Sequence, residues 1–135
     1  MKIPYVNLVK QYKKEKDQLN KIFNNVLSSG KYVEGEYINK FEENISKYCN
    51  TKYCVSLNSG TDALTFALFT LGVRKGDEVI TAPNSFIAST SVIVHLGAKP
   101  IFVDVKSDQN INPELIIEKI TKKTKAIIPI HLTGR

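Results

Sequence analysis

The chain has 135 residues, 42% hydrophobic and 24% charged, with a formal net charge of +6, a composition that suits one core-bearing globular domain and argues against disorder. No run of about 18 apolar residues occurs, and MKIPYVNLVKQYKK lacks the unbroken apolar stretch of a secretory signal, so a cytoplasmic protein without a membrane span is expected. The lysine clusters at Lys13, Lys14 and Lys16 and at Lys122, Lys123 and Lys125 are not interleaved with stacking aromatics, so they read as solvated faces, suited to a small anionic substrate more than to nucleic acid.

In chain order, Leu19, Ile22, Phe23, Val26 and Leu27 recur at helical spacing, and Gly30 stands where a left-handed helix end is expected. Tyr37, Ile38, Phe41, Ile45 and Tyr48 repeat the pattern from about Glu36 to Cys49, after the glycine- and aromatic-rich connection SGKYVEGEY. Cys49 and Cys54 are spaced as neither a CxxC pair nor a zinc pattern and are too few for a disulfide framework. Reduced thiols are expected. His95 and His131 lie too far apart in sequence to suggest a metal site with them.

From Tyr53 the pattern changes. The β-branched runs YCVSL, EVITA, PIFVDV and KAIIPIH alternate with TDALTFALFTLG, FIASTSVIVHLG and PELIIEKI, the order of an α/β fold with a mainly parallel sheet and crossover helices. Gly72 and Gly97 punctuate helix ends, Gly76-Asp77 reads as a turn, and Asn112-Pro113 as a helix cap followed by proline. The last strand-like run has no following helix to cover it, so the chain reads as the first part of a longer protein. Two segments are expected: 1–50, helical with a substrate loop, and 51–135, an incomplete α/β domain.

Ligands of open α/β sheets gather where strands end and helices begin, the position that Asn58 to Asp62 would occupy. The N–H groups of Gly60, Thr61 and Asp62 suit a phosphate, with the Asp62 carboxylate turned away from it. Ser59 and Asp62 equally form a plain capping box. GKYVEGEY is no P-loop, because Glu36 stands where the lysine is needed, and no GxGxxG occurs. Phe86, in APNSFIAS, is either a core residue or the face on which an aromatic cofactor lies.

The ordered set NSGTDAL, GDEVITAPNSFIAST, LGAKPIFVDV and KTKAIIPIHLTG resembles the DegT/DnrJ/EryC1/StrS sugar aminotransferases, and SGKYVEGEYINKFEE resembles their substrate loop. The resemblance implies the N-terminal part of the large domain of an aspartate-aminotransferase-like (fold type I) fold. It also implies pyridoxal 5'-phosphate as cofactor, a nucleotide-linked keto sugar as substrate, an amino donor such as glutamate, and a homodimer. Gly60, Thr61 and Asp62 would then hold the cofactor phosphate, and Phe86 would stack on the pyridine ring. Tyr5, Gly30, Lys31, Tyr32 and Val33 would approach the sugar nucleotide, with Asn58, Asn84 and Ser85 lining the same region and His131 near it. The lysine that carries the cofactor and the aspartate that faces the pyridine nitrogen are expected beyond Arg135, so no catalytic residue is assigned and the isolated chain is not expected to transaminate. A non-enzymatic binding or interaction module on the same fold is the alternative.

Overall fold

The structure, a computed structural model, describes residues 4–132 and 134, so Thr133 and Arg135 lie outside the described residues. The chain divides into two compact units, Met1–Ser56 and Leu57–Arg135.

In the first unit, α1 (Leu8–Ser29) begins where Asn7 Oδ1 accepts a hydrogen bond from Lys10 N at 2.9 Å, and it ends at Gly30 with φ 68°. That left-handed turn is why a glycine closes the helix. α2 (Glu36–Tyr48) is braced along its surface by Glu36–Lys40 and Glu43–Lys47, the latter at 2.7 Å, both with the i,i+4 spacing that places side chains one above the other. Hydrogen bonding to those lysines holds both carboxyls below the ordinary glutamate range. Neither helix buries a residue; Leu19, Phe23 and Phe41 keep their apolar faces exposed. The helical periodicity is fulfilled, but this unit has no buried core of its own among the described residues.

The second unit carries the core. Its elements are α3 (Gly60–Thr70), β1 (Glu78–Thr81), α4 (Ala88–His95), β2 (Lys99–Phe102), α5 (Pro113–Lys119) and β3 (Thr124–Ile128). The strands form a parallel sheet in the order β2-β1-β3, with Ile80 opposite Ile101 on one side and Ile127 on the other. Successive residues of a strand face opposite sides. Val79 accordingly joins Leu68, Val92, Ile93 and Ile128 in a cluster under α3 and α4, while Ile80 joins Val103 and Ile111, with Leu115 and Ile116 of α5 packed against them. Burying a side chain of this size contributes about 1.5–3 kcal/mol, so these two layers set the plane to which the loops are attached.

Local signals act as expected at the helix ends. Asn112 Oδ1 accepts from Glu114 N at 3.0 Å ahead of Pro113, and Gly72, Gly76 and Gly97 have φ of 80°, 93° and 75°. Arg74 closes the end of α3: Nη1 donates to the carbonyls of Phe69 and Val73 at 3.0 and 2.7 Å, and the guanidinium lies 4.3 Å from the Phe69 ring.

One strand expectation fails. Tyr53–Leu57 takes no ladder partner among the described residues, and Tyr53, Val55 and Leu57 are exposed. A β-branched, aromatic sequence fits a pleated, half-buried surface, but it becomes a strand only beside another strand, and none of β1, β2 and β3 pairs with it. β3 also stops at Ile128, earlier than KAIIPIH suggested, because Pro129 has no N–H to continue a ladder.

Candidate functional site

The end of β3, the loop between β1 and α4, and the first turns of α3 and α4 border an open pocket of about 430 Å³. Gly60, Thr61 and Leu64 line it from α3, Ser85, Phe86 and Ser89 from the β1–α4 region, and Ile128, Pro129 and Ile130 from the end of β3. Its volume falls in the range of small-molecule sites, and its wall is mostly apolar without a charged side chain. Two helix N-termini, each with a partial positive charge, start at its rim.

The α3 end is built by Ser59, whose backbone is extended (φ −156°, ψ 162°) and whose Oγ accepts from Asp62 N at 3.1 Å. The plain cap is therefore present. It occupies the Asp62 N–H, while helix geometry leaves the N–H groups of Gly60 and Thr61 without an intrahelical acceptor. Gly60 itself is informative. Its φ is not positive, and a Cβ built on it meets no atom within 4 Å. Neither backbone conformation nor packing calls for glycine here, and the open side of the backbone is free for close approach.

Phe86 is 76% exposed in this chain and lines the pocket. An aromatic face open to a pocket between two helix N-termini matches a planar ligand that also carries an anion. The loop that bears it is held by Ser89, buried to 3%, whose Oγ donates to Phe86 O at 2.9 Å. It is also held by Asn84, whose Nδ2 donates to Gln109 O at 3.0 Å.

Among the sequence-predicted residues, Gly60, Thr61, Ser85 and Phe86 come together at this pocket. Asp62 does not line it, its backbone N–H being engaged by Ser59, and Asn58 is an exposed residue just ahead of the cap. Tyr5, Gly30, Lys31, Tyr32 and Val33 belong to the first unit. There Lys31 and Tyr32 line a cavity of about 230 Å³ at the corner between α1 and α2, with the Tyr32 hydroxyl donating to Leu27 O at 3.2 Å. Tyr5 and Val33 are fully or largely exposed. Among the described residues no group of three or more His, Cys, Asp or Glu comes together as a metal site, and no helix is long and apolar enough to cross a membrane.

Sequence reasoning missed Ser89 and the segment Ile128–Ile130. The signal for the latter was there, since ligands sit outside the carboxyl ends of parallel strands, but KAIIPIH reads as a continuous strand until its ladder is seen to stop.

The model of the DegT/DnrJ/EryC1/StrS aminotransferase family matches residues 13–135. The chain belongs to that family. Among relatives it is 38% identical over its full length to a pleiotropic regulatory protein of Geobacillus stearothermophilus, covering 37% of that protein. It is 37% identical over 98% of its length to the UDP-2-acetamido-2-deoxy-3-oxo-D-glucuronate aminotransferase of Pseudomonas aeruginosa, again covering 37%. Among solved structures, NtdA from Bacillus subtilis with bound cofactor PMP superposes with a TM-score of 0.93 at 36% identity, covering 99% of this chain and 31% of that one. The chain thus has the α/β fold of fold type I aminotransferases and spans about a third of the length of these family members.

Proposed function

We propose that this chain forms the phosphate- and ring-binding part of a pyridoxal 5'-phosphate-dependent aminotransferase that acts on a nucleotide-linked keto sugar. The observation that carries the proposal is Gly60, a glycine that neither conformation nor packing requires, at the mouth of a pocket faced by an exposed phenylalanine. The names of the relatives support the reaction class and the substrate class: one is an aminotransferase of a UDP-linked 3-oxo sugar, and one neighbour holds PMP.

When bound, the cofactor supplies an electron sink for moving an amino group between carbons. The residues of this chain bind and orient it. Gly60 and Thr61 N–H groups meet the phosphate with the Thr61 hydroxyl, Asp62 N–H joins them when the Ser59 hydroxyl rotates away, and Phe86 covers one face of the ring. Tyr5, Gly30, Lys31, Tyr32, Val33 and Asn58 serve the sugar nucleotide, with the Lys31 ammonium suited to its diphosphate charge. Glutamate as amino donor, a homodimer and a cytoplasmic location complete the proposal.

The test is titration of the purified chain with pyridoxal 5'-phosphate, with inorganic phosphate as competitor. One saturable site, competed by phosphate and weakened at least tenfold in Gly60→Val, is expected. Absence of saturable binding, or binding indifferent to Gly60→Val, refutes the assignment.

A further inference from the structure

We infer that Asn84 is a positioning residue, which sets the orientation of the Phe86 ring by tying its loop to the turn at Lys106–Asn110. This rests on the proposed reading of Phe86 as a ligand-facing ring.

Phe86 and Ile87 are 76% and 66% exposed in this chain, and within it the loop before α4 is held by polar contacts. Pro83 donates no hydrogen bond, and Ile87, the N-cap residue of α4, makes no side-chain cap. The side chain of Asn84 reaches instead to a segment 25 residues away, Nδ2 donating to Gln109 O at 3.0 Å. The amide orientation follows from chemistry, since a carbonyl only accepts and the nitrogen must face it. Asn84 Oδ1 is buried with no partner, a cost accepted at a position where the donor alone has a role.

The receiving turn is unusually well defined. Gln109 has φ 68°, a left-handed value that a non-glycine residue rarely holds. Lys106 N donates to Asn110 O and Gln109 N to Lys106 O, both at 2.9 Å, while Asn110 N donates to Asp108 Oδ1 at 3.0 Å. Around these, Val105 and Ile111 pair as an antiparallel bridge, and Ile111 is buried in the core. The Gln109 carbonyl is therefore a fixed point in a turn bridged to the core at Ile111, and it holds Asn84, two places before the ring, in place.

The experiment is a double-mutant cycle of Asn84→Ala and Phe86→Ala, read by pyridoxal 5'-phosphate affinity of the full chain, together with amide exchange in the ligand-free chain. Asn84→Ala should weaken binding roughly three- to tenfold, the range of one hydrogen bond. Asn84→Leu, of similar size but without the donor, should do the same. In the Phe86→Ala background Asn84→Ala should add nothing, because its effect passes through the ring. A merely structural role gives additive losses and overturns the inference. In the ligand-free chain Asn84→Ala should speed exchange of the Gln109 and Ser89 amides and leave β1 unchanged. Unchanged exchange at Gln109 overturns the inference whatever the ligand does. A wild-type chain that binds no cofactor sinks the functional reading, and the exchange result then decides the tether alone.

Discussion

Substitution of Gly60 by alanine separates the requirements of the fold from those of a ligand. Gly60 is the first residue of α3, its φ is not positive, and a Cβ there meets nothing within 4 Å. Alanine is thus accommodated without strain, and it restricts the unfolded chain more than glycine does, which stabilises by about 0.4–1 kcal/mol. Thermal unfolding followed by circular dichroism should move up by about 2 °C or more. Ligand binding should move the other way. A methyl group on the open side of the cradle holds an anion away from the Gly60 and Thr61 N–H groups and removes at least one charge-assisted hydrogen bond. Such a bond contributes about 1.5–3 kcal/mol, or roughly ten- to a hundredfold in affinity for pyridoxal 5'-phosphate. The opposed signs are the diagnostic result. A Gly60→Ala chain that is less stable refutes the open geometry at the helix start, and one that is more stable but binds equally well refutes close approach by an anion.

Ser59→Asp should keep the cap that now receives the Asp62 N–H at 3.1 Å, with stability within about 0.5 kcal/mol of wild type by urea unfolding. It should also weaken phosphate and pyridoxal 5'-phosphate binding, because a carboxylate then sits beside the anion. Unchanged binding would move the anion away from this helix end. Gln109→Gly should raise stability by about 0.5–1 kcal/mol in the same assay, since its left-handed φ of 68° opposes a side chain; a loss would show that the side chain supplies packing that outweighs the strain. In α2, hydrogen bonds from Lys40 and Lys47 hold the Glu36 and Glu43 carboxyls below their ordinary range. Their stabilisation is therefore full above the unfolded-state pKa and is lost as pH falls through the lowered folded values. Helicity should decline in that acidic window, and the decline should shrink in the Glu36→Gln, Glu43→Gln double variant. An identical decline in both would exclude these pairs as its cause.

What the sequence made legible was local. The Leu19 to Leu27 stripe and Gly30 gave α1 its register and its end, and Asn112-Pro113 gave the start of α5, because periodicity, caps and left-handed glycines act within four residues of themselves. Three of four strand-like runs found places in a parallel sheet. YCVSL did not, because a strand is defined by a neighbour and its own residues say nothing of whether one is present. The pocket was half legible for the same reason. Gly60 and Phe86 announce themselves within short motifs, whereas the tether from Asn84 to Gln109 spans 25 residues and depends on a left-handed turn at a glutamine, a residue type that carries no turn signal.

Gly60 is the point where local preference and local structure disagree. Glycine gives up backbone entropy that alanine would not, and at the first residue of α3 nothing in the surrounding packing offsets that. Sequences that specify a fold are consistent across levels, and where one level is violated without a structural return the reason is sought in function. Phe86, a large aromatic 76% exposed in this chain, lines the same pocket beside two helix N-termini. Either residue alone has bland explanations. Together, on one pocket whose wall carries no charge of its own, they support the proposed guest, anionic at one end and flat at the other.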